Sequence, residues 1–490
     1  MKSYKPWSPM QSHLLPQSPA DWLPKGHLAY FILDVVAELD LAAFHRAIQS
    51  KDQRGARPYA PDLMVALLLY GYCTGVFSSR RIARATHEDV PFRVIAGECH
   101  PHFTRIAAFR RENLSLLEGL FLQVLQLCDK AGLVKLGHVA IDGSKIQANA
   151  SKHKAMSYDR MQTEENRLLN EISDLMELAE RTDTHEDTQY GEGVDPFDLP
   201  AELQRRENRL TKIREAKEAL EREARQGRLA HVQEVTNRTL ANADQHEDPA
   251  TRSRVETQAK NRLEKAQEQL VRDDDEDDPP SPTTRQGLKK HRPRSSTDGT
   301  PKPDAQRNFT DPDSRIMERN STFLQGYNCQ IAVDDHGQLI LAHAVSNQSP
   351  DSSNLEPVLR QVIDNCGRAP DVTTADAGYW KEAVVGLAEE LGTQLFVNVP
   401  KRHPPSEEEI NDPSNLNPRP KMMRDLRTPA GQKAYAQRKA VVEPVFGQIK
   451  EPRGFRRFLL RGLEKAIGEW SLICTTHNLL KLFRNLAAAA

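Results

Sequence analysis

The sequence predicts an α+β chain: an all-helical N-terminal domain, then a mixed α/β sheet domain interrupted by a long helical insertion. Three observations predict it. Between residues 27 and 135 apolar residues recur at helical spacing, without the alternation of a strand. At 138–146 (HVAIDGSKI) and 371–380 (DVTTADAGYW) a short apolar or β-branched run ends in an aspartate followed by small residues that include a glycine. That is how a buried strand delivers a carboxylate to the edge of a sheet. Between 155 and 310 apolar residues are sparse and charge dominates. The chain thus divides into an extended segment 1–26, a helical domain 27–135, a first part of the sheet domain 136–154, an insertion 155–310, and the remainder of the sheet domain 311–485. With 490 residues it is long enough for two or three domains, each with its own core.

Each element has its reason. Residues 1–26 are rich in Pro and Ser. The run DLMVALLLYGY at 62–72 is apolar enough for a buried helix. A helix over 78–97 follows, opened by Ser caps and carrying Arg80, Arg81 and Arg84, then one over 103–132 closed by a glycine. Arg80, Arg81, Arg105, Arg110 and Arg111 are either phosphate contacts of a DNA-binding domain or ordinary solvated arginines of a bundle. In the insertion, Leu168, Leu169, Ile172, Leu175, Met176 and Leu178 make one stripe and Leu203, Leu210, Ile213 and Leu220 a second. They predict two charged helices in a hairpin or coiled-coil arm. Residues 271–310, with DDDEDD at 273–278, are too polar to bury a core and read as a disordered tether. Two alternating runs then meet at DDHG in a hairpin, where Asp334 and Asp335 are explained by the turn. A capped helix (352–367), the strand DVTTADAGY, the helix KEAVVGLAEELG and the strand TQLFVNVPKR follow.

A last helix holds Val442, Val445, Phe446 and Ile449 at amphipathic spacing, with Pro444 expected in its first turn and Glu443 at its entrance. Glu443 and Lys450, two turns apart, project from one face. The order β-β-β-α-β-α-β-α, once the insertion is set aside, is that of an RNase H-like domain. There the first and fourth strands are neighbours, bringing Asp142 and Asp376 together with Glu443 supplied by the helix across them.

Net charge is −2, but it is segregated: residues 436–485 hold ten Lys/Arg against four Asp/Glu. Contact with DNA would come from such patches. Six scattered cysteines without a CxxC argue against a zinc ribbon or a disulfide framework and suit a reducing cytoplasm. No signal-like segment and no apolar run of spanning length is present, so neither export nor a membrane is expected.

The stretches HVAIDGSKIQANASKHK, GYNCQIAVDD, TTADAGYW and VVEPVFGQIKEPRGFRRFLLRGLEKAIGEWSLICTTHNLLKL resemble the DDE transposases of bacterial insertion sequences, in the branch with a Y-R-E-K signature around the third acid. RPYAPDLMVALLLYGYCTGVFSSRRI resembles their helical N-terminal domain. Tyr435 begins the signature, and either Arg438 or Lys439 fills its second place, since the gap from Arg438 to Glu443 is one residue longer than in the common pattern. The resemblance implies Asp142, Asp376 and Glu443 as catalytic ligands of two Mg2+ (or Mn2+) ions, which need only hard oxygen donors. It implies Tyr435, Arg438 or Lys439, Lys450, Arg453, Arg456 and Arg457 on double-stranded DNA, at the transposon ends and the target, nicking to expose a 3′ hydroxyl that then attacks the target. Trp380 either stacks on a base flipped from the end or supports the strand from the core. A homodimer on DNA, with the arm as one possible contact, and a nucleoid-associated bacterial protein are implied as well. The rival readings are a nuclease that does not join, a catalytically dead DNA-binding relic, and a glycoside hydrolase, disfavoured by only four Trp and a basic third motif.

Overall fold

The structure, a computed structural model, describes residues 19–50, 57–97, 99–190, 199–243, 248–270, 283–319, 321–400 and 404–489. Residues 1–18 and the DDDEDD run lie outside the described residues.

Among the described residues, seven α-helices fill the N-terminal region: α1 Leu28–Glu38, α2 Ala42–Gln49, α3 Pro61–Cys73, α4 Ser79–Glu88, α5 Val90–Ala96, α6 Phe103–Glu112 and α7 Leu114–Lys130. Helix α3 is buried throughout from Met64 to Cys73, as its apolar run requires. The single helices expected over 78–97 and 103–132 are each broken in two. Asp89 ends α4, and its side chain accepts the Phe92 N–H to open α5 just ahead of Pro91. Asn113, at φ −114° and ψ 24°, leaves the helical region between α6 and α7, and its amide donates to the Phe109 carbonyl at 2.8 Å.

Six strands form the main sheet: β1 His138–Gln147, β4 Arg315–Arg319, β5 Thr322–Asp334, β6 Ile340–Ser346, β7 Val372–Ala375 and β8 Gln394–Val397. Their order is β4-β5-β1-β7-β8, with β6 also paired to β5. β1 runs antiparallel to β5 and parallel to β7. Two short strands, β2 Ala155–Ser157 and β3 Gln306–Asn308, pair antiparallel and clamp the two ends of the insertion together. Between them lie α8 Tyr158–Tyr190, α9 Leu199–Ala243 and α10 Pro249–Leu270. The later helices are α11 Leu355–Cys366, α12 Val384–Leu391, α13 Glu407–Asn411, α14 Pro418–Arg427, α15 Pro429–Lys450 and α16 Leu463–Ala489. Helices α3 and α7 pack on α16, and α16 packs on β6, so one apolar core runs from Ile32 and Leu67 through Val124 and Trp470 to Ile331 of the sheet.

The arm has three helices, not two. Met161, Leu168, Leu210, Ile213 and Ala216 join α8 to α9. The third, α10, packs on α9 through Leu263, Ala266 and Leu270 against Leu229 and Val232, a stripe sparser than those of the first two. Residues 283–310, expected to be disordered, are ordered against the sheet. Leu288 is wholly buried in the main core. Gln286 covers an edge of β6: its amide donates to the His343 carbonyl at 3.1 Å and accepts the Val345 N–H at 3.0 Å. Gly287 and Gly299, at φ 78° and 82°, turn the chain on either side. Composition counts apolar residues, whereas this segment is held by amide and backbone hydrogen bonds.

Pro444 is not in a first turn. Helix α15 begins fifteen residues earlier, at Pro429 behind the cap of Thr428, and carries Pro444 and Glu443 in its interior. A proline there has no N–H for the carbonyl four residues back, which is that of Ala440. Gln338, in the turn between β5 and β6, supplies the missing donor: its Nε2 reaches the Ala440 carbonyl at 3.2 Å. The Lys481 ammonium holds the other end of that amide at 2.9 Å.

Candidate functional site

Strand register builds the site. β7 stops at Ala375, opposite Ile141, while β1 continues to Gln147. Gln147 pairs on that side with the segment at Arg457. Among the described residues no strand covers 143–146 on this edge, so β1 has a short uncovered window. Asp142 and Asp376 stand at its near end, each one residue past the last pair between the two strands.

Asp142 accepts the Gly143 N–H at 2.7 Å and the Arg438 guanidinium at 3.3 Å. Burial, and next the charge of Asp376, push its carboxyl up to about 6. Asp376 accepts the Gly378 N–H at 2.9 Å as it caps the turn after β7. Two carboxylates held side by side, with no histidine or cysteine in contact, suit a hard cation. Among the described residues, however, no three His, Cys, Asp or Glu side chains converge as one ion site. Glu443 is exposed on α15. It lies between Arg438, which touches Asp142, and Lys450, which touches the Ser144 hydroxyl, so that its helix spans the window.

The structure separates the cations expected to meet DNA. Arg438 is buried against Asp142, with its guanidinium 5.8 Å from the Tyr435 ring centre, whereas Lys439 is exposed. Lys450 sits at the window, its pKa lowered by burial and by Arg319. Arg456 and Arg457 are exposed, the first paired with Glu451 and the second donating to Asn149 at 2.8 Å. Arg453 is not available to DNA. It is buried and donates to the carbonyls of Tyr72 and Ile473 at 3.2 and 3.1 Å, locking the loop after α15 onto α3 and α16. Arg110 is likewise buried, donating to the Tyr72 hydroxyl and the Phe77 carbonyl, both at 2.9 Å. Arg80, Arg81, Arg105 and Arg111 are exposed, and Arg80 lies 4.9 Å from the Phe103 ring centre. Tyr379 is wholly buried, its hydroxyl on the Gln330 side chain, while Trp380 is half-buried against the core.

Asp351 was missed in the sequence. It lies in the loop after β6 and forms an ion pair with Lys145 at 2.9 Å, close enough to Asp142 for its charge to act on that carboxyl. A signal for it existed: Asn328 and Gln330 are polar at alternate positions in the apolar stretch of β5 from Tyr327 to Val333, and both are wholly buried. Buried amides demand partners, and Asp351 is theirs.

Residues 289–479 match the family model described as Transposase DDE domain, and residues 17–112 the one described as Transposase domain (DUF772). Asp376, Arg438, Glu443 and Lys450 fall within the first span, while Asp142 precedes it. No curated protein and no solved structure matches the chain. No helix among the described residues is long and apolar enough to cross a membrane.

Proposed function

The chain belongs to the insertion-sequence DDE transposases, and from this premise we propose that it cuts DNA at the ends of its element and joins the freed 3′ ends to a target. One observation carries the reading: Asp142, within β1, and Asp376, just past the end of β7, lie side by side where the parallel pairing of the two strands stops, at an uncovered stretch of sheet edge that α15 crosses. The strand order, with β1 between an antiparallel hairpin and a parallel pair, supports an RNase H-like sheet.

Asp142, Asp376 and Glu443 are the residues that would hold two Mg2+ or Mn2+ ions. Such ions activate the attacking oxygen and stabilise charge on both oxygens of the displacement. The chain's own residues set the rest. Arg438 fixes the Asp142 carboxylate from the helix side. Lys450, at Ser144, presents a cation along the window, and Tyr435, Lys439, Arg456 and Arg457 extend the surface to flanking phosphates. Arg80 and Arg81 contact DNA from the N-terminal helices, and Trp380 offers a half-buried ring beside Asp376. Joining two ends takes two such sites, so the DNA-bound species is a homodimer.

The test is cleavage of DNA bearing the element's ends, with magnesium, by wild type and by Asp142→Ala, Asp376→Ala and Glu443→Ala, with the mass of the DNA complex measured alongside. Each substitution is expected to abolish cutting and leave binding. Cutting that survives all three means the site is elsewhere. Cutting without joined products means a nuclease, and binding without any cutting a relic. One chain per complex rules out the dimer.

A further inference from the structure

We propose that Lys145 binds a DNA phosphate in the window of β1 and that Asp351 positions it there. The inference rests on the transposase reading and adds a residue pair to its site. Successive residues of a strand face opposite sides, so Asp142 and Ser144 face α15, whereas Gly143 and Lys145 face away from it. On that second face the register sets Gly143 opposite Gln330 and Lys145 opposite Asn328. Asp351 lies over all four. Its Oδ1 accepts from Asn328 Nδ2 at 2.6 Å, Gln330 Nε2 at 2.8 Å and Lys145 Nζ at 3.1 Å, and its Oδ2 accepts from Lys145 Nζ at 2.9 Å.

Gly143 makes this possible, because a Cβ there would stand 2.8 Å from Asp351 Oδ1 and 2.3 Å from Gln330 Nε2. A Cβ on Gly378, in the turn after Asp376, would stand 3.6 Å from Asp351 Oδ2. The carboxylate thus sits between Gly143 of β1 and the turn after β7, next to Asp142 and Asp376.

With its oxygens occupied, Asp351 is no free ligand for an ion, and its charge is committed to Lys145. The Lys145 side chain is only 14 % exposed, so it is not a solvated surface lysine. An ammonium has three N–H groups. Two point at Asp351, which leaves one for a phosphate oxygen in the window. A largely desolvated pair gains little stability over apolar side chains of like volume. A carboxylate that fixes the cation where the backbone of the substrate passes gives the pair a purpose.

Lys145→Met and Asp351→Asn separate the two roles in salt-series binding to end DNA, cleavage kinetics and melting. Lys145→Met is expected to lower the slope of log affinity against log salt by about one, the loss of one phosphate contact. Asp351→Asn should leave that slope unchanged, since the lysine remains. Its kcat should fall by up to about a hundredfold with little change in KM, as for a misplaced contact. A merely structural pair would lower the melting temperature in both variants and leave slope and kcat alone, and that result overturns the proposal. Should Lys145→Met fail to fold, Lys145→Gln keeps a donor for Asp351 and is read in the same way. A wild type that never cuts would sink the transposase reading, yet the salt slopes still decide whether Lys145 meets phosphate.

Discussion

Four positions separate Arg453 from Arg457, yet the first is locked against the Tyr72 and Ile473 carbonyls while the second reaches through solvent to Asn149. Identical chemistry therefore does opposite jobs. Removing Arg453 takes the donor from the buried Tyr72 carbonyl at about 1–3 kcal/mol, while the Ile473 carbonyl keeps the Thr476 hydroxyl. Arg453→Met should accordingly lower the melting temperature by several degrees. Arg457→Ala should melt with wild type and lose about one unit of salt slope in DNA binding. Thermal melts and salt-series titrations of the two variants check this, and a reversed outcome would mean the roles are assigned wrongly. The sequence held no hint of the difference. Both arginines sit in one basic run, and burial is decided by α3, nearly four hundred residues upstream.

At the scale of elements, α15 shows how a helix carries an interior proline unbent from its task. Gln338 stands in for the absent N–H, from a turn 102 residues away. Gln338→Ala is expected to destabilise by about 0.5–1.5 kcal/mol, the net worth of an ordinary hydrogen bond, because the Ala440 carbonyl is exposed and water can take the donor's place. Pro444→Ala restores the intrahelical bond, so the double variant should recover part of that loss. Additive losses in denaturant titration would refute the coupling. What could be read from the sequence here was local. The stripe of Val442, Val445, Phe446 and Ile449 marked the buried face, and all four are buried. The strands beside Asp142 and Asp376 were legible for the same reason, since an apolar or β-branched run states its own burial, but β1 runs on past Asp142 to Gln147 where a strand end was expected. The place of Pro444 within the helix, the third arm helix and the order in 283–310 were not. Each depends on a distant partner, on a sparse stripe or on amides that leave no period in the chain.

At the scale of the molecule, two imidazoles in the core and one half-buried beside Arg315 are kept neutral by burial. His291, His343 and His477 are each pushed from 6.5 down to about 3. The unfolded chain takes up these protons below pH 6.5 and the folded chain does not until about pH 3, so stability is full above 6.5 and falls as pH drops. The slope is at most about 1.4 kcal/mol per pH unit for each imidazole. Melting temperature should therefore drop steeply from pH 7 to pH 5, and less steeply in His343→Gln. A flat profile would show that these rings protonate within the fold.

The single core that joins α3 and α7 to α16 and the sheet has a further consequence. Among the described residues the N-terminal helices and the strands that carry the aspartates share one buried core. A base pair gripped at Arg80 and a phosphodiester lying at Asp142 would stand apart by a length built into the protein. The chain would then act as a gauge block: whatever sequence it is given, the bond it breaks falls at one fixed offset from the grip.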